Sequence, residues 1–333
     1  MRRNRARGVA GILVLVTLLS GCASTIIGKP APDREALARI EDERSPLTAA
    51  AAFGDYTTID YCSLMDAAAL GRSAEVTDPP RVSLDNCIAK VKLDGQEADV
   101  WLGGVVDEQG RNEYAPTTEI TGGPELKRRL TIEKPSSDYD GSCYRYLVFA
   151  DQFSLQANIS SFNTTSGSDL APERLCPILE EVLEQAATVV VEKRVKHLSF
   201  PAGSLGSIDA CSVVTDAEVG SYLGSTPSAR RTPTKHSCRW GRSGEDYVSL
   251  YFSVDLPVPA GAGYTAETLG GRQAMVWTSS DSYCSAQTTL KPWPGAQKGE
   301  VETVSIFVSR YDGGDPCGVM RNVANTVFPR LPA

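Results

Sequence analysis

Nine cysteines partition this chain, and their spacing constrains the fold more than any other feature. Cys22 stands alone after a short apolar run, and the other eight fall into two sets of four. Cys62, Cys87, Cys143 and Cys176 form the first set; Cys211, Cys238, Cys284 and Cys317 form the second. The last two cysteines of each set lie 33 residues apart, and the first two lie 25 and 27 residues apart. In an exported chain such even sets read as disulfides, because that compartment is oxidising and no C-x-x-C pattern suggests zinc or redox chemistry. The spacing predicts two copies of one disulfide-stapled domain.

The N-terminus carries the parts of a secretory signal. Arg2, Arg3, Arg5 and Arg7 precede the apolar stretch Val9 to Leu19, and the small residues Ser20 and Gly21 follow it. Such a stretch rises only about 16 Å as a helix, against a bilayer core of about 30 Å, so it reads as a signal and not a span. Leu19-Ser20-Gly21-Cys22 resembles the bacterial lipobox. That resemblance implies cleavage before Cys22 and acylation of its thiol, with the lipid as the membrane anchor.

Charge narrows the partners. The chain holds 33 Lys and Arg against 41 Asp and Glu, a net of −8. Removing residues 1–21 takes away four arginines and leaves −12. Residues 205–333 carry −1 of this, and the remainder −11. An acidic chain exported to the envelope argues against nucleic acid as a partner.

Along the chain, residues 1–21 read as signal peptide and 22–54 as lipidated cysteine plus flexible tether, with Thr48 to Ala52 able to add a helical turn. The first domain is expected over 55–198 and the second over 205–333. Ile59-Asp60-Tyr61-Cys62-Ser63 matches Ile208-Asp209-Ala210-Cys211-Ser212, and each leads into a short helical stretch ending in glycine, Gly71 or Gly224. Glu119, Gly122 and Gly123 match Glu267, Gly270 and Gly271. Alternating segments correspond in order: Ala98 to Val106 with Tyr247 to Val254, Tyr144 to Phe149 with Ala286 to Leu290, and Ser154 to Ile159 with Val304 to Val308. A helix is expected to open at the fourth cysteine of each set. Leu175, Ile178, Leu179, Val182, Leu183 and Ala186 recur at helical spacing in one, and Val319, Val323 and Val327 in the other.

The expected fold is α+β: two homologous domains, each an antiparallel sheet with N- and C-terminal helices packed on one face. Four cysteines allow three pairings. Sequential pairing is expected, 62–87, 143–176, 211–238 and 284–317, because each bond then clamps one end helix to a strand.

These motifs carry a resemblance. A lipobox followed by Cys211-Ser212-Val213-Val214, Leu223-Gly224, Cys238-Arg239-Trp240, Asp315-Pro316-Cys317 and Pro329-Arg330-Leu331-Pro332 is similar to the exported lipoproteins of actinobacteria built on a small four-cysteine domain of unknown function. The first half departs from the pattern, with Ala89 where Trp240 stands and no Leu-Pro close after its last helix. A looser similarity is to the two-disulfide extracellular sensor domains of mycobacterial transmembrane Ser/Thr kinases. The resemblance implies an envelope location and a sensing or binding role, and it brings no catalytic residue.

Few residues suggest chemistry. There are two histidines, His197 in the joint and His236 beside Cys238. H-E-x-x-H, G-x-S-x-G, Ser-x-x-Lys and the P-loop are absent from the sequence. Asp138-Tyr139-Asp140-Gly141 and Asp312-Gly313-Gly314-Asp315 read as turns in preference to calcium loops. The basic group Arg230, Arg231, Lys235, His236, Arg239 and Arg242 reads as a solvated loop, with anionic headgroups or the acidic first domain as the alternative. Trp277 and Trp293 read as packing residues, with a glycan or lipid groove as the alternative, and Trp240 as core against a disulfide. The expectation is a non-enzymatic, cofactor-free lipoprotein on the outer face of the cytoplasmic membrane. It would bind an envelope ligand or a protein partner, with a surface scaffold as the second reading and an envelope hydrolase as the third.

Overall fold

Period-two alternation of buried and exposed side chains builds two antiparallel sheets of seven strands each. A computed structural model describes residues 45–107, 120–135, 141–161, 170–242, 244–261, 263–294, 296 and 298–333. The signal segment, Cys22, the tether up to residue 44, Glu119 and Asp138-Tyr139-Asp140 lie outside the described residues.

The first sheet comprises β1 (Glu75–Val82), β2 (Asn86–Leu93), β3 (Gln96–Val106), β4 (Ile120–Glu125), β5 (Thr131–Pro135), β6 (Ser142–Val148) and β7 (Ser154–Ser160). Its spatial order is β1-β2-β3-β7-β6-β5-β4. The second comprises β8 (Ala229–Arg231), β9 (Ser237–Trp240), β10 (Tyr247–Asp255), β11 (Tyr264–Leu269), β12 (Arg272–Ser280), β13 (Tyr283–Pro292) and β14 (Val301–Ser309). Its order is β11-β12-β13-β14-β10-β9-β8. Numbered within its own half, each sheet runs 1-2-3-7-6-5-4.

The helices are α1 (Ala49–Phe53), α2 (Ala67–Ser73), α3 (Pro172–Val191), α4 (Asp216–Leu223) and α5 (Pro316–Val327). Leu175, Leu179, Val182, Leu183 and Ala186 make one stripe of α3 and share a core with Ala98, Val100 and Leu102 of β3. Val319, Val323 and Val327 of α5 share the second core with Val304, Ile306 and Val308 of β14. Each helix opens on a proline, whose fixed φ suits the first turn. Pro316 stands just before Cys317, as expected, but α3 starts at Pro172, ahead of Cys176.

The disulfides are Cys62–Cys87, Cys143–Cys176, Cys211–Cys238 and Cys284–Cys317. Cys143–Cys176 and Cys284–Cys317 tie a strand to a helix. The other two differ from the expectation: Cys62 and Cys211 sit in 3-10 turns, Tyr61–Leu64 and Ala210–Ser212, ahead of the short helices. The shared Asp-x-Cys-Ser motif builds those turns identically. Asp60 Oδ1 accepts from Cys62 N–H at 3.1 Å, and Asp209 Oδ1 from Cys211 N–H at 2.9 Å. Ser63 and Ser212 then donate back to the carbonyls of Asp60 and Asp209 at 2.7 and 2.6 Å.

Three local expectations change. Residues 45–54 are not tether. Leu47, Ala49 and Phe53 are buried in the first core, Phe53 meets Phe149 edge-on at 5.2 Å, and Leu47 exchanges backbone hydrogen bonds with Arg128 and Ala150. Two large apolar side chains and a Thr48 N-cap are enough to dock this short helix. Gly224 ends α4 in the left-handed conformation, but α2 runs through Gly71 to Ser73. Gly270-Gly271 makes the β11–β12 turn with positive φ, whereas Gly122-Gly123 lies inside β4, and Arg128 and Arg129 take positive φ in the β4–β5 connection.

Candidate functional site

Residues 45–333 form one compact unit, and the β1–β2 turn joins its halves. Ser83, Leu84 and Asp85 extend from the first sheet into the second half. Leu84 is 1% exposed and belongs to the second core. Ser83 Oγ accepts from the N–H of Val254 at 2.9 Å. To reach there the turn crosses β3 at close range: a Cβ on Gly103 would lie 2.1 Å from the Asp85 carbonyl, so only glycine fits. Gly104 N–H donates to that same carbonyl at 2.7 Å.

Asp85 then meets His236. The carboxylate lies 2.6 Å from Nδ1, and the Gly206 carbonyl lies 3.1 Å from Nε2. Both partners are acceptors, and only an imidazolium has two N–H groups to give. Burial opposes that charge, but the Asp85 hydrogen bond and charge, with the Gly206 carbonyl, together raise the His236 pKa above its ordinary value. Thr234 also donates to Asp85 at 3.1 Å, and Thr232 and Ser237 continue the hydroxyl chain. A buried polar network of this kind holds its members in one arrangement.

Above this joint the sheets flank a partly open cleft of about 660 Å³. Alternation sets its walls. On β3, Val100 and Leu102 face the core, so Trp101 faces the cleft. On β6, Cys143 and Leu147 face the core, and Tyr144 and Tyr146 face the cleft. On β7, Gln156 and Asn158 alternate with the buried Leu155 and Ile159. The second half contributes Tyr251 and Ser253 of β10 with Thr232, Thr234 and Ser237. Among the described residues lining the cleft Asp85 alone is charged, and His236 faces its carboxylate. Rings, hydroxyls and amides without net charge suit an uncharged, partly apolar ligand.

The residues singled out in the sequence stand elsewhere. The eight bonded cysteines lie in or against the two cores. Trp240 is fully buried, and its Nε1 donates to Asp216 at 2.9 Å. Trp293 packs at the edge of the second core, 6.2 Å from Phe200. Asp312 accepts from Arg310 and the N–H of Gly314, and Asp315 caps α5, so these carboxylates are occupied in turn and cap. Among the described residues no group of three His, Cys, Asp or Glu could hold a metal ion. The solvated-loop reading fails for part of the basic group: His236 is buried and Arg230 lies 3.5 Å from Asp107 of the first half. His197 holds the joint, with Nδ1 2.8 Å from Thr58 Oγ1.

Asp85, Trp101, Tyr144, Tyr146, Gln156, Asn158 and Tyr251 were missed in the sequence. Their one signal was aromatic and amide residues at the non-core positions of strands. No family model, curated protein or solved structure matches the chain, so its geometry carries the functional reading. The four disulfides belong to an oxidising, extracytoplasmic compartment. No described helix is long and apolar enough to cross a membrane.

Proposed function

We propose that this chain is an envelope lipoprotein, acylated at Cys22 on the outer face of the cytoplasmic membrane, that binds an uncharged ligand without transforming it. The cleft between the sheets carries this reading. It is a partly open cleft of small-molecule size, lined by aromatic rings and neutral hydrogen-bonding groups beside Asp85. The lipobox supports the anchor. Identical strand order, equal disulfide pattern and the repeated Asp-x-Cys-Ser turn support descent of the two halves from one duplicated domain. They also fit the similarity to actinobacterial four-cysteine lipoproteins.

Native mass spectrometry of the full-length protein, extracted from its own envelope in detergent, tests the ligand. A co-purifying uncharged molecule that Trp101→Ala sheds is the expected result. A protein that carries only its lipid anchor, or that co-purifies with a protein partner in place of a small molecule, overturns the ligand reading. Cys22→Ala should move the protein from the detergent phase to the aqueous phase, and retention would refute the anchor.

A further inference from the structure

The second sheet has a face that neither core uses. Its strand register places five aromatic residues on that face, one per strand. Tyr251 of β10 pairs with Ser305 of β14, two residues from Phe307. Phe307 pairs with Ser285 of β13, two residues from Tyr283. Ser285 pairs with Trp277 of β12, and Trp277 with Tyr264 of β11. The intervening residues Val304, Ile306, Ala286 and Val276 point the other way, into the core with α5.

The five rings touch in sequence. Tyr251 lies 5.4 Å from Phe307, Phe307 6.2 Å from Tyr283, Tyr283 5.7 Å from Trp277, and Trp277 6.2 Å from Tyr264. All five are half-buried. They cross five strands, on the order of 19 Å at the usual strand spacing. The rings carry their own neutral polar groups, the phenols of Tyr251, Tyr283 and Tyr264 and the indole N–H of Trp277, whereas Ser249, Ser285 and Ser305 are buried beneath them and Gln287 Nε2 donates to Ser305 Oγ at 3.2 Å. Burial and neighbouring tyrosines hold the Tyr283 phenol well above its ordinary pKa, so it stays uncharged. Tyr251 also lines the cleft, so the ladder begins where the cleft ends.

The chemistry selects among occupants. A nucleic-acid strand needs a basic groove beside the rings, but Arg239 and Arg230 stand together beyond the Tyr251 end of this face, Arg239 4.0 Å over the Tyr247 ring and Arg230 3.5 Å from Asp107, and do not follow the ladder. An acyl chain would cover the three phenols and the indole N–H without offering them a hydrogen-bond partner, which costs free energy. A pyranose suits both sets of groups. Its axial C–H bonds carry partial positive charge and settle on the negative ring face, while its rim hydroxyls exchange hydrogen bonds with the tyrosine phenols and the indole N–H. Charge matches as well, since an uncharged sugar meets an uncharged track.

We propose that the aromatic ladder from Tyr251 to Tyr264 is a binding track for an uncharged glycan chain whose end enters the cleft. This rests on the ligand-binding reading of the cleft and extends it to a ligand class. The rings space successive stacking positions, and the cleft takes the terminal sugars.

The test is isothermal titration of the full-length protein in detergent with chitohexaose, cellohexaose and maltohexaose, and with the matching disaccharides. At least one hexasaccharide should bind, and more tightly than its disaccharide. Trp277→Ala should weaken the hexasaccharide about tenfold, the effect of losing roughly 1.4 kcal/mol of stacking, and leave the disaccharide unchanged. Tyr264→Ala, on the edge strand where folding depends on it least, should act in the same direction. Trp101→Ala should weaken both ligands. Failure of all three hexasaccharides to bind overturns the track. So does hexasaccharide binding that Trp277→Ala and Tyr264→Ala leave intact, and so does a dimer that Trp277→Ala dissociates. The two readings fail separately. Binding that depends on Trp101 alone keeps the cleft and removes the track. Binding that depends on Trp277 but not Trp101 keeps the track and removes the cleft.

Discussion

Ala89 and Trp240 occupy equivalent places in the two halves, each two residues beyond a disulfide cysteine. Ala89 pairs with Val100 across β2 and β3, and Trp240 pairs with Val248 across β9 and β10. Both are buried. The second core closes around the indole. The first closes differently, with Phe53 from α1 and Phe149 after β6 among its large side chains. One strand order therefore tolerates two ways of filling its core, provided the volume is supplied from somewhere. The open faces differ too. The first presents Trp101, Tyr144 and Tyr146 to the cleft, and the second carries the ladder of five rings. The core side chains and these aromatic side chains lie on opposite sides of each sheet, so each set can vary without the other.

The hardest strike at this comparison is Trp240→Ala, which imposes the first half's residue on the second. It should cost about 3–5 kcal/mol in urea denaturation, because Trp240 is the largest fully buried side chain and its loss leaves a cavity in the second core. A loss below about 1 kcal/mol would mean the two cores are interchangeable. Next come the paired disulfides. Removing Cys62–Cys87 by double serine substitution should cost about 3–4 kcal/mol, and removing Cys211–Cys238 should cost about the same, because the closed loops are of similar length. Clearly unequal losses would show that native packing, and not loop closure, sets the contribution.

A third prediction concerns the joint. The folded pKa of His236 is raised above 6.5. Its contribution is therefore complete below the unfolded pKa and is lost as pH rises through the folded one. Thermal stability should fall as pH rises from about 6 through this window. Asp85→Asn should lower stability and flatten that slope; an unchanged slope would assign it to another group. The smallest effect compares helix starts. α4 has a Thr215–Glu218 capping box, while α3 begins after Ala171 with no side-chain cap. Thr215→Ala should cost about 1 kcal/mol, and Ala171→Asp should gain about half that. Arg330 and the Thr215 N–H hold the Glu218 carboxyl down to about 2. That pair's contribution is present above 4.5 and fades only as pH falls towards about 2.

Much of the framework was legible in the residues. The cysteine spacing implied two stapled halves, and the alternating segments around β3, β6, β7, β10, β13 and β14 marked strands that do correspond in order. The Asp-x-Cys-Ser motif marked a local turn that each half builds with the same hydrogen bonds. These are short-range or periodic signals, and they survive in a linear reading. Errors came where distant partners decide. Leu47 and Phe53 look like tether until a core is present to receive them, and His236 looks like one more basic loop residue until Asp85 reaches it.

By itself the sequence determined the secondary-structure rhythm and two sets of four cysteines whose pairing could be read in order, because those follow from side-chain period and local chain closure. Only the tertiary structure decided that the β1–β2 turn crosses into the other half, with Leu84 in a foreign core and Asp85 on a buried imidazole. That crossing lines the cleft, and strand register gathers Tyr251, Phe307, Tyr283, Trp277 and Tyr264 into one line. Both depend on pairings between residues tens to more than a hundred positions apart, which no local pattern encodes.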